Sequence, residues 1–104
     1  MDKGKVFYLS VENGKKKAKE VEGFVHNEAF IGIYHTSNNE FAVVDLVTGL
    51  EFGSSTKINE CFDMAEEIAK KLPAVRNKIE YLEKAVFFKH LLNDANIEAK
   101  GIVA

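Results

Sequence analysis

A single cysteine, a single proline and only seven glycines occur among the 104 residues. One cysteine rules out an internal disulfide and gives no sign of an oxidising compartment. So little proline and glycine leaves no room for a long linker, and no repeat or low-complexity segment interrupts the chain. No apolar run is long enough to cross a bilayer. The opening Met-Asp-Lys-Gly-Lys, followed by an alternating segment, is unlike a signal peptide, so a cytoplasmic location is expected.

What is present is ordinary globular material. Hydrophobic residues make up 46% and charged residues 29%, enough for one core in one domain spanning 1–104. The formal net charge of −2 is unevenly placed. Residues 1–19 hold six lysines against Asp2 and Glu12, a balance of +4, and residues 20–104 carry −6. An acidic body argues against a protein built mainly to hold nucleic acid.

Residues 1–54 read as a β-meander. Val6 to Glu12 alternates, with Phe7, Leu9 and Val11 on one face. Asn13-Gly14 then gives the strongest short-range hairpin signal, because both positions tolerate positive φ. The return strand covers about Lys17 to Val25. Ala29 to Thr36 is a third strand and Phe41 to Val47 a fourth. The fourth is apolar on both sides except for Asp45, which suits a central strand covered twice. Leu50 to Gly53 is a short fifth. Connections this short require antiparallel pairing.

Residues 55–96 read as a helical pair. Ile58, Cys61, Phe62, Ala65, Ile68, Ala69 and Leu72 recur at three- and four-residue steps on one stripe. Ser55 or Thr56 can cap the first amides. Pro73 is expected to end this helix and start the next, which runs to about Asn93. The first half of that second helix carries one stripe, Val75, Ile79, Leu82 and Val86. Its end is apolar nearly all round, which calls for cover on several sides. Residues 97–104 form a tail apolar enough to dock or to add an edge strand. The fold class is therefore α+β: an antiparallel meander of four or five strands, then two C-terminal helices packed on the sheet. The layout recurs in small bacterial and phage proteins, an analogy of build that implies no activity.

Chemistry-bearing patterns are few. Cys61 lies near a helix start but on its apolar stripe, where cysteine behaves as a small hydrophobe. His26, His35 and His90 are scattered, and no spacing resembles a metal site. No catalytic residue, metal or cofactor is expected. Ser54, Ser55, Thr56 and Lys57 lead into a helix start and could hold an anion, though without the spacing of a P-loop. Asp45 interrupts an apolar strand, and a buried carboxylate there needs a partner. An edge position, where an inward charge blocks strand addition, would account for it equally well.

Two functional expectations follow. Surplus apolar surface at Val86, Phe87, Phe88, His90, Leu91 and Leu92 predicts a non-enzymatic interaction module, a regulator or inhibitor of a partner protein, acting as a homodimer or on that partner. The alternative is a nucleic-acid-binding module using Lys15, Lys16, Lys17 and Lys19 on the first hairpin. That hairpin has no arginine to read bases and few aromatics to stack on them. No membrane partner is expected.

Overall fold

The computed structural model describes residues 1–98. Five strands, β1 (Asp2–Glu12), β2 (Lys15–His26), β3 (Ile31–His35), β4 (Phe41–Asp45) and β5 (Glu51–Ser55), form one antiparallel sheet in sequence order. Two helices follow, α1 (Ile58–Val75) and α2 (Ile79–Asp94), both packed against the sheet. Asn13 and Gly14 both take positive φ, 51° and 77°, a combination that matches the twist of the strands it joins. Glu12 and Lys15 face each other across that turn.

The β1–β2 ribbon is paired along its whole length, but β2 meets β3 only over Phe24–His26. Beyond Gly23 the ribbon curls across the face of β3 and β4. Tyr8 stacks on Tyr34 with ring centroids 4.4 Å apart. The Leu9 N–H donates to the Gly49 carbonyl, between β4 and β5, at 2.8 Å. Gly32 permits this approach, because a Cβ there would lie 2.7 Å from Val6 Cγ1. Val6 and Phe7 are therefore both buried. Simple alternation predicts cover on one face of β1 only; the curl supplies a second.

Two cores result. Ile31, Ile33 and Val43 pack with Cys61, Ala65 and Leu72 of α1. Val6, Phe7, Ala18, Val44 and Leu46 pack with Phe88 and Leu92 of α2. Adjacent residues Val43 and Val44 serve opposite faces, so β4 is covered on both sides. The helices serve different cores and do not pack along each other as a hairpin.

Pro73 does not end α1. It lies inside the last turn, exposed to solvent, and the Arg76 N–H still closes on the Leu72 carbonyl at 3.0 Å. An exposed proline near a helix end forgoes one backbone bond and its fixed φ is helical, so the helix runs on. The break comes at Arg76–Lys78, where Lys78 is extended. Val75 therefore belongs to α1, not to the second helix. The cap at the start of α1 also differs from expectation. Lys57 is the N-cap and has no side-chain capping bond.

No helix among the described residues is long and apolar enough to cross a membrane. Ile97 packs against the core under α2; residues 99–104, the rest of the expected docking tail, lie outside the described residues.

Candidate interaction surface

Two apolar stripes share α2. Tyr81, Ala85, Phe88 and Leu92 follow helical spacing along one side, and Phe88 and Leu92 are buried there. Ile79, Leu82 and Val86 follow the same spacing on the far side and are 73%, 50% and 54% exposed. The choice of inner stripe depends on Gly49. Its φ is 74°, and the Phe88 ring occupies the place a Cβ would take. Only glycine satisfies both conditions without strain.

The six residues expected at an interface are thus divided by the fold. Val86, Phe87 and His90 are exposed, Leu91 is half-buried, and Phe88 and Leu92 are turned into the protomer's own core. Phe87 is not bare, since the Lys16 ammonium sits 5.5 Å from its ring centroid. The outward stripe is the one the sequence places in the first half of the helix, Ile79, Leu82 and Val86.

The lysine ribbon is partly compensated within the chain. Glu12 pairs with Lys19 at 2.5 Å and with Lys17 at 3.7 Å, and Lys5 pairs with Glu20 at 2.8 Å. The Lys19 bond pulls the Glu12 carboxyl below its ordinary range. Lys15, Lys16 and Lys17 are exposed, while Lys19 is half-buried. Positive charge at the tip is smaller than the lysine count implies.

At the proposed anion site, Ser54, Thr56 and Lys57 are exposed. The Ser55 hydroxyl donates to the Glu60 carboxylate at 2.5 Å and accepts the Lys57 N–H at 3.1 Å. A carboxylate of the chain itself already stands at this helix start, where negative charge is favoured.

Asp45 is 1% exposed and lies at the end of an interior strand, not at an edge. Its carboxylate accepts the Val47 N–H at 2.8 Å, Arg76 Nη2 at 3.3 Å and the Tyr81 hydroxyl. Arg76 Nε also donates to the Tyr81 oxygen at 2.9 Å. Burial, and then the bond to Asp45, pushes the Tyr81 phenol well above its ordinary range, against the opposing pull of Arg76. The triad ties β4 to the α1–α2 joint. Beside it lies an open cleft of about 330 Å³ bordered by Leu50, Phe52, Val75 and Lys78. Both carboxylate oxygens of Asp45 accept hydrogen bonds that hold the fold, so it has the character of a structural clamp.

Cys61 is buried, and its thiol donates to the Phe41 carbonyl at 3.5 Å. Burial pushes the thiol up, away from the reactive thiolate. His26 accepts the Ala29 N–H at Nδ1 and approaches Glu66 at 3.4 Å. Among the described residues, no group of three or more His, Cys, Asp or Glu is placed to hold a metal ion.

Comparison with protein-family models, curated proteins and solved structures finds no match for this chain.

Arg76 and Tyr81 are the residues sequence reasoning missed as partners of Asp45. One signal was available: a carboxylate inside an apolar strand demands a cation or donors from elsewhere, and Arg76 is the chain's single arginine.

Proposed function

We propose that this chain is a small non-enzymatic interaction module of the regulatory kind, docking the outer face of α2 against a second copy of itself. The observation that carries this is the stripe of Ile79, Leu82 and Val86, at 73%, 50% and 54% exposure on a helix whose other side turns Phe88 and Leu92 into the core. Three large aliphatic side chains in register on one helix face are an anchor pattern for a partner helix. Burying each stabilises a complex by up to about 1.5–3 kcal/mol before the cost of association. The engagement of Asp45, Cys61 and His26 in internal bonds supports a binding role over a catalytic one. A lone buried thiol suits a reducing, cytoplasmic setting.

Light scattering on the wild-type chain and on Leu82→Glu tests this. The wild type is expected to associate reversibly, and the variant to remain monomeric with an unchanged circular dichroism spectrum. A wild type that stays monomeric at several hundred micromolar overturns the proposal.

A further inference from the structure

Charges border the outer stripe of α2 in a pattern of their own. At about 100° per residue, Ile79, Leu82 and Val86 fall within a sector roughly 60° wide. Lys78 and Lys89 lie along one margin of that sector, and Glu83 and Asp94 along the other. All four are exposed. Among the described residues none of the four has an ion-pair partner within the protomer. Asp94 stands near the lysine ribbon, across a small hollow shared with Lys16 and Lys19.

We infer that the two copies dock with their α2 helices parallel, about a two-fold axis running along the helices, an arrangement that rests on the self-association proposed above. In a parallel pair, the margin of one helix meets the opposite margin of its partner, with contacts offset by five residues. Lys78 then faces the partner's Glu83, and Lys89 faces the partner's Asp94. Symmetry repeats both, giving four opposite-charge pairs around a strip of Ile79, Leu82 and Val86. An antiparallel pair brings lysine margin to lysine margin and acidic margin to acidic margin, which opposes association. Opposite signs at a matched five-residue offset on one helix are what a self-partner requires; an unrelated partner needs only one sign.

The apolar strip spans about 10 Å of helix. Three side chains over that length bury well under the roughly 800 Å² per partner of a standard interface, so the expected dissociation constant is about 1–100 µM. Rim pairs of this kind are screened, so the dimer should weaken as salt rises.

Cysteine cross-linking in a Cys61→Ala background decides the direction. Ile79→Cys, Leu82→Cys and Val86→Cys are oxidised separately and in mixtures, after circular dichroism has shown each to be folded. Parallel docking predicts that each variant forms a disulfide dimer with itself. Antiparallel docking centred on Leu82 predicts self-linking of Leu82→Cys alone, with Ile79→Cys linking only to Val86→Cys. That outcome overturns the parallel arrangement and leaves self-association standing. A wild type that scatters as a monomer overturns self-association itself, and a dimer in which none of the three cross-links overturns both the parallel arrangement and the outer face of α2 as the docking surface. As a second readout, Lys78→Glu with Lys89→Glu should weaken the dimer about tenfold or more. Mixing that variant with Glu83→Lys and Asp94→Lys should restore association. Equal affinities for all these combinations would remove the charge basis of the inference.

Discussion

Tyr81, at the start of α2, donates its phenolic hydrogen to the carboxylate of Asp45 at the end of β4. Arg76, at the end of α1, donates to both. The end of β4 is thereby tied to the joint between α1 and α2, 31 and 36 residues further along the chain.

Removing the centre of that clamp should be costly. Asp45→Ala leaves Arg76 and Tyr81 without their acceptor and is expected to destabilise the chain by about 3 kcal/mol. Tyr81→Phe removes one donor and should cost about 1–2 kcal/mol. Urea unfolding at neutral pH measures both. Equal and negligible losses would show that the clamp does not hold the joint.

The two neighbouring phenylalanines of α2 should behave very differently. Phe88 is fully buried against Gly49, and Phe88→Ala is expected to cost about 3–5 kcal/mol. Phe87, nearly half exposed under Lys16, should cost about 1 kcal/mol or less on the same substitution. Comparing the two urea midpoints tests which stripe of α2 faces inward.

Tyrosine ionisation should betray the buried phenols. Burial, with smaller contributions from Tyr8 and Glu51, pushes Tyr34 up from 10.0 to about 12, and Tyr81 is raised further. The folded state thus keeps protons that the unfolded chain gives up, so stability is complete below pH 10 and declines as pH rises from 10 towards 12. An absorbance titration of tyrosinate, with unfolding measured at pH 8 and pH 11, checks the sign. Tyr81→Phe should flatten the decline. If every phenol ionises together near pH 10, the burial account fails.

Cys61 should be silent towards a disulfide reagent such as Ellman's in the native state and react fully in denaturant, because it is buried and its thiol is held protonated. Rapid reaction under native conditions would place it at the surface.

The lysine ribbon should bind oligonucleotides no more tightly than non-specific electrostatics allow, about 10⁻⁴–10⁻⁶ M at physiological salt. Its lysines are partly spent on Glu12 and Glu20. Tighter saturable binding, abolished by Lys15→Glu with Lys16→Glu, would restore the hairpin as a functional surface.

Much of the architecture follows from local rules. Asn13-Gly14 specifies its hairpin, connections of a few residues force antiparallel neighbours, and the run from Ile58 to Leu72 has one apolar stripe and so one possible inner face. These outcomes depend on residues close in sequence, whose spacing is visible without coordinates.

Three decisions belonged to the tertiary structure alone. Pro73 continues α1 because its surroundings are solvent and nothing nearby stops the helix. Asp45 is tolerable inside β4 because Arg76 and Tyr81, 31 and 36 residues away, come to it. In α2 both Ile79-Leu82-Val86 and Tyr81-Ala85-Phe88-Leu92 have helical spacing, so periodicity cannot say which turns inward. That choice was made at Gly49 in the β4–β5 turn, where the Phe88 ring occupies the place a Cβ would take.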